Sequence, residues 1–225
     1  MTLLFPQTQE THMSEWKSAK YWRNRPLDER LKNLRVPPRY RSCSFDNFET
    51  TTTTQPLVKA LHKWVGNMPQ NMEEGMGLYI SGDVGTGKTH LAVATLKEVI
   101  KQHELSGLFL TYDMFCEMVY DSRDGELPEM YGEENLLKYT RRTYDVVVID
   151  NFNADRVTDY MIKMTADLIQ SRYDTQLPTI FTSSERIDKI GGLFTQRIAS
   201  ILRQSTYPLR TAGIDYRIGG LDAGQ

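Results

Sequence analysis

The chain has 225 residues, 40 % hydrophobic and 25 % charged, with a formal net charge of −2, which is enough for one substantial core plus an extension and excludes a disordered polyelectrolyte. No stretch approaches the roughly 20 apolar residues of a spanning helix. Two cysteines, Cys43 and Cys116, lie far apart without a C-x-x-C pair, which argues against zinc and a disulfide framework and for reduced, structural thiols in a cytoplasmic protein.

Residues 1–11 have Leu3, Leu4 and Phe5 but no basic region and no long apolar core, so they do not read as a secretory leader. Residues 14–41 carry nine lysines and arginines against Glu15, Asp28 and Glu29, a basic arm ahead of an acidic body. Trp16, Tyr21 and Trp22 sit among these charges. Such interleaving suits base stacking or docking into a partner's groove, and equally a solvated basic helix whose aromatics fold back on the core. Pro37 and Pro38 break helical geometry in the residue before each. They mark the expected boundary between an arm at 1–36 that binds a partner and a core at 37–218.

The five threonines at 50–54 read as a loop before a helix at 55–66. An apolar run at 77–81 is of buried-strand type, and Ala92, Leu96, Val99 and Ile100 recur at helical spacing after Lys88. A second strand is predicted at 108–111, a helix at 114–120, an acidic, Gly/Pro-punctuated loop at 121–134, and a buried strand at 145–150. Arg141 and Arg142 precede that strand, as a DNA contact or as an ordinary exposed basic pair. A helix at 158–173, with Met161, Met164 and Leu168 on its core face, and a strand at 179–182 follow. Residues 219–225, with three glycines, read as a flexible tail. Strands alternating with helices imply an α/β fold with a mostly parallel sheet covered on both faces.

Between the strand at 77–81 and the helix after it runs Gly82-Asp83-Val84-Gly85-Thr86-Gly87-Lys88-Thr89, which fits G-x-x-x-x-G-K-[ST]. Strand, glycine loop and helix is the order of a phosphate-binding loop, with backbone N–H groups and a helix dipole aimed at nucleotide phosphates. Lys88 is expected to reach the β- and γ-phosphates and the Thr89 hydroxyl to ligate Mg²⁺. The strand at 145–150 ends in Asp150, the expected second ligand of the metal. An isolated glycine turn and a core strand meeting a loop are the bland readings of the two pieces; their combination favours ATP or GTP.

The order of pieces resembles the AAA+ helicase loaders of the DnaC/DnaI type and the related IstB transposition ATPases. The resemblance covers roughly 37–217. It rests on Pro37-Pro38-Arg39-Tyr40, Ser44-Phe45-Asp46-Asn47-Phe48, the glycine loop with His90-Leu91-Ala92, the strand ending in Asp150, Arg172-Tyr173, Pro178-Thr179-Ile180, Thr182-Ser183-Ser184 and Gln196-Arg197-Ile198-Ala199-Ser200. It implies an AAA+ core with a five-stranded parallel sheet between helices, ATP bound at a subunit edge, and self-association into a ring or spiral. Family members use an N-terminal extension to grip a hexameric replicative helicase, and the arm here is similarly placed.

Carried over, the resemblance puts the Ser44–Phe48 segment, with Phe45, near the adenine, Gly82 to His90 around the phosphates, and Thr89 with Asp150 on Mg²⁺. Ser184 takes the sensor position, where the family usually has Asn. Arg197 falls on the first of two arginines that approach ATP in the next subunit; Ile201 falls on the second, for which Arg203 is the nearest substitute. Arg217 resembles a closing-motif arginine that faces nucleotide or DNA. Asn151 replaces the usual acidic residue after Asp150, and an amide cannot accept a proton from water. Asp155 either substitutes in part for that acid or caps the following helix. Loss of a base typically costs about 10²- to 10⁴-fold, so slow hydrolysis is expected, with ATP acting as a switch. The resulting reading is a loader in DNA replication that binds single-stranded DNA. Its alternative is an IstB-like adaptor that binds double-stranded DNA and a transposase; a small-molecule kinase fits less well, because no arginine-rich lid is evident.

Overall fold

Five short strands form the centre of the computed structural model, which describes residues 24–123, 140, 144–153 and 157–213. The strands are β1 (Gly77–Ser81), β2 (Gly107–Thr111), β3 (Val146–Asp150), β4 (Thr179–Ser183) and β5 (Thr206–Arg210). All pair in parallel, in the order β2-β3-β4-β1-β5. β1, β3 and β4 are buried along their whole length, as parallel strands covered on both faces must be.

The helices are α1 (Leu27–Lys32), α2 (Gln55–Gly66), α3 (Met68–Glu74), α4 (Lys88–His103), α5 (Tyr112–Arg123), α6 (Asp159–Asp174), α7 (Ile190–Leu193) and α8 (Gln196–Ser205). The pleat sends alternate strand side chains to two separate cores. Leu78, Ile80, Phe109, Val146, Val148 and Ile180 pack with Leu61, Trp64, Leu96 and Val99 from α2 and α4. Tyr79, Leu108, Leu110, Val147, Ile149 and Phe181 pack with Met161, Met164, Leu168 and Ile198 from α6 and α8. No helix among the described residues is long and apolar enough to cross a membrane.

Local chemistry starts the helices. The threonine run closes a turn just ahead of α2: Thr51 N donates to Thr54 Oγ1 at 2.8 Å, and Thr54 N to Thr51 Oγ1 at 3.2 Å. Thr158 accepts from Met161 N before α6, and Thr195 from Ile198 N before α8. The Thr158 and Thr195 caps contribute about 1 kcal/mol each.

Two features depart from the sequence reading. The packed unit begins ahead of the proline pair: α1 lies on α4, Arg30 Nη1 donates to Ile100 O at 3.1 Å, and Leu34 and Val36 are buried. Phe109 N donates to Leu34 O at 2.7 Å, which ties this segment to the free edge of β2. The fifth strand that the resemblance implied had no place in the residue pattern; it is β5, which contains Pro208 and mostly exposed residues. Proline is tolerated there because β5 is an edge strand. The aromatic part of the basic arm, Arg141, Arg142 and the tail lie outside the described residues.

Candidate functional site

The loop after β1 is bent by three glycines with positive φ, Gly82 at 150°, Gly85 at 80° and Gly87 at 84°. A Cβ on Gly82 would stand 2.5 Å from Thr211 O, and one on Gly87 would stand 2.7 Å from Phe48 Cε2. Thr86 Oγ1 donates to Asp83 O at 2.8 Å and lies 2.6 Å from Thr211 Oγ1, while Thr211 N donates to Ser81 O. The chain leaving β5 therefore braces the back of the loop. At its front, Gly87 caps the 16-residue α4, whose first N–H groups and positive dipole end face the loop. Lys88 Nζ donates to Gly82 O at 2.8 Å and Asp83 O at 2.7 Å, so the ammonium lies across the loop that precedes it.

Asp150, at the end of β3, is only 6 % exposed. Thr89 Oγ1 donates to its Oδ1 at 2.9 Å and Oδ2 at 3.1 Å, and Thr182 Oγ1 donates to Oδ1 at 2.6 Å. A hydroxyl and a carboxylate at this spacing form the hard-oxygen set that suits Mg²⁺. Asn151 follows with φ 57°, a left-handed conformation that Asn tolerates better than most residues. Its N–H donates to Thr182 Oγ1 at 2.9 Å, and its Oδ1 accepts from Asn153 Nδ2 at 2.7 Å. Asn153 Oδ1 in turn takes Ser184 N at 3.3 Å and Ser184 Oγ at 3.1 Å. The strand ends thus carry one continuous polar network.

The third wall is the segment 39–48. His90 Nε2 lies 2.8 Å from Ser44 O, and Lys97 Nζ donates to Arg41 O at 2.9 Å and Cys43 O at 2.8 Å. Burial pushes the Lys97 pKa down and the Cys43 thiol up, with the nearby ammonium opposing the latter. Between the three walls lies a cleft of about 980 Å³ lined by Phe48, Lys88, Thr89, Asp150, Asn151 and Ser184, among others.

The expected residues do not all meet in this cleft. Val84, Gly85, Gly87, Lys88, Thr89, His90, Asp150, Asn151 and Ser184 line the cleft, whereas Gly82, Asp83 and Thr86 shape the loop from behind. Phe45 packs on His62 with ring centroids 4.3 Å apart; Phe48 lines the cleft and meets His90 edge-on at 5.3 Å. Arg197 binds Gln170 Oε1 at 2.9 Å, and both it and Arg203 are exposed on α8, outside the lining of the cleft. Asp155 and Arg217 lie outside the described residues. Sequence reasoning missed Thr182, Asn153 and Thr211, and within the Ser44–Phe48 segment it singled out Phe45 where the structure puts Phe48 in the cleft. Their signal lay only in tertiary pairing, since each acts on a residue distant in sequence or across a turn.

No protein-family model matches the chain. Over 152 residues, 66 % of this chain and 47 % of the relative, it is 26 % identical to the replicative helicase loader DnaI of Bacillus subtilis. Over 172 residues, 75 % of this chain and 66 % of the relative, it is 24 % identical to the replicative helicase loader DnaC of Escherichia coli. The crystal structure of the DnaC helicase loader superposes with a TM-score of 0.70 at 23 % identity, covering 78 % of this chain and all of that one. Its relatives are helicase loaders of the DnaC/DnaI type. The chain spans about half the length of DnaI and two thirds of that of DnaC. The shared fold is the AAA+ domain, present also in the replication initiator DnaA bound to AMPPCP and single-stranded DNA, with a TM-score of 0.64 at 18 % identity over 80 % of this chain and 52 % of that one. In the DnaC/DnaI setting, the glycine loop, Lys88, Thr89 and Asp150 stand as a set of groups that fits a nucleoside triphosphate and its metal.

Proposed function

We propose that the protein is an ATP-binding helicase loader of DNA replication, acting in the cytoplasm, that places a hexameric replicative helicase on single-stranded DNA. The observation that carries this is the convergence of Lys88, Thr89 and Asp150 on one cleft in a chain whose relatives are replicative helicase loaders. Backbone N–H groups of the loop and Lys88 would hold the phosphates; Thr89 and Asp150 would hold Mg²⁺, which when bound neutralises phosphate charge. Phe48 offers an aromatic edge to the base, and the 39–48 segment is fixed well enough on α4 to keep that edge in place.

Hydrolysis is slow in this reading, because Asn151 stands where a base would act. ATP then works as a switch: it biases an assembly through its different affinity for two states. Arg197 and Arg203, exposed on α8 and outside the lining of their own cleft, are available to the nucleotide of a neighbouring copy, which supports self-association into a ring or spiral. The basic segment at 1–36 supplies the helicase contact.

The test has two parts. Lys88→Ala should abolish ATP binding and ATP-dependent assembly, and the wild type should retain the cognate hexameric helicase in a pull-down. Unchanged nucleotide affinity in Lys88→Ala defeats the site assignment. Capture of a transposase and double-stranded DNA, without helicase, defeats the loader reading in favour of an adaptor.

A further inference from the structure

Asn151 lacks the chemistry of a base, but its amide is held in one orientation, and that orientation has a chemical meaning. A backbone N–H can only donate, so the Asn153 atom 3.3 Å from Ser184 N is its carbonyl oxygen; Ser184 Oγ at 3.1 Å and Ser183 Oγ at 3.0 Å approach the same oxygen. The other end of the Asn153 amide is therefore NH₂, and it needs an acceptor. That acceptor, 2.7 Å away, is Asn151 Oδ1. With its oxygen turned toward Asn153, Asn151 has its own NH₂ group at the other end of the amide, on an exposed side chain that lines the cleft beside Lys88, Thr89 and Ser184.

We propose that Asn153 is a positioning residue that presents the amide nitrogen of Asn151 to the terminal phosphate of a bound nucleoside triphosphate, so that the chain after β3 reads the presence of that phosphate. This rests on the nucleotide site proposed above. A carboxylate at position 151 would repel the phosphate and accept a proton from water; an amide turned nitrogen-first does the opposite. It donates to a phosphate oxygen, and its amide oxygen is too weak a base to take a proton from an attacking water. The position therefore discriminates triphosphate from diphosphate while leaving the triphosphate intact. Ser184 takes part through Asn153, to which it is bonded, and Thr182 holds the Asn151 backbone in register.

A hydrogen bond to a charged acceptor corresponds to about a tenfold to hundredfold gain in affinity. The experiment is equilibrium titration of the full chain, with Mg²⁺, by ADP and by a non-hydrolysable ATP analogue. Wild type should prefer the triphosphate by at least about tenfold. Asn151→Gly removes the amide and keeps the left-handed backbone accessible; Asn153→Asp keeps an acceptor for Ser184 but has no N–H for Asn151. Both should bring the preference close to one. In parallel, the Asn151 side-chain NH₂ resonance of ¹⁵N-labelled wild type, identified by its loss in Asn151→Gly, should shift with the triphosphate and stay in place with ADP. A preference near one in wild type, a preference kept in both variants, or a resonance that ignores the triphosphate overturns the proposal. If wild type binds neither nucleotide and matches Lys88→Ala, the nucleotide site itself is wrong and the inference falls with it.

Discussion

The Thr182 hydroxyl lies 2.6 Å from Asp150 Oδ1 and 2.9 Å from the backbone nitrogen of Asn151, so one β4 side chain holds both the acidic residue and its successor. It donates to the first and accepts from the second. Thr182 is 1 % exposed, so neither bond can be replaced by water. The end of β3 is thus positioned from its neighbouring strand rather than by its own loop.

Thr182→Val keeps the shape and removes both bonds. Leaving a buried donor and a buried carboxylate each short of a partner should destabilise the fold by about 1–3 kcal/mol. Urea denaturation measures this, and a parallel Mg²⁺–nucleotide titration should show weaker binding. A variant as stable as wild type would mean that β3 holds its end unaided.

Much of this architecture was legible in the sequence because the determining interactions are local. The glycine loop is read from eight consecutive residues, β1 and β3 from short apolar runs, and β4 from β-branched and aromatic residues after Pro178. β5 was not legible, because its exposed, proline-containing run makes sense only beside β1. The same holds within the site. The motif around Ser44 names two phenylalanines, but the turn closed by Asn47, which accepts from Ser44 N at 2.9 Å, decides that Phe48 faces the cleft and Phe45 faces His62. Asn153 carried no signal, since its role exists only where β3 and β4 end side by side.

Arg172 supplies a second prediction. It is 2 % exposed and places all five donors: Nε on Thr179 Oγ1, Nη1 on Thr140 O and Tyr144 O, Nη2 on Asp145 O and Pro178 O. It binds the residues entering β3 to those entering β4. Lysine has three donors on a compact charge and leaves at least two acceptors unpaired. Arg172→Lys should lower stability by about 3–5 kcal/mol, read as a lower urea midpoint; a loss below about 1 kcal/mol would show that the carbonyls find other donors.

Tyr79 makes stability sensitive to alkali. Its hydroxyl donates to Glu185 O at 3.0 Å, and burial pushes its pKa from 10.0 up to about 12. Between those values the folded chain holds a proton that the unfolded chain has lost. Stability should therefore be flat below pH 10 and fall as pH rises from 10 to 12, by about 2–3 kcal/mol from this group. Tyr79→Phe should flatten part of that decline, the remainder including Tyr112, which burial also pushes upward. Equal alkaline slopes in the two proteins would remove Tyr79 from the explanation.

Lys97 tests whether the wall formed by residues 39–48 matters to ligand binding apart from fold stability. Its ammonium, partly desolvated, donates to Arg41 O and Cys43 O from one turn of α4, while His90 meets Ser44 O two turns earlier. Lys97→Met keeps an unbranched apolar stem and deletes both donors, at about 0.5–1.5 kcal/mol for each bond. Because the affected segment ends at Phe48, its loosening should appear mainly as nucleotide affinity lowered by about three- to tenfold. Lys101 is the control: it lies four residues further along the same helix and pairs with Glu98 at 2.9 Å. Lys101→Met should leave nucleotide affinity unchanged. Equal effects of the two substitutions would assign the change to general loss of positive charge; a loss confined to Lys97→Met would assign it to the clamp.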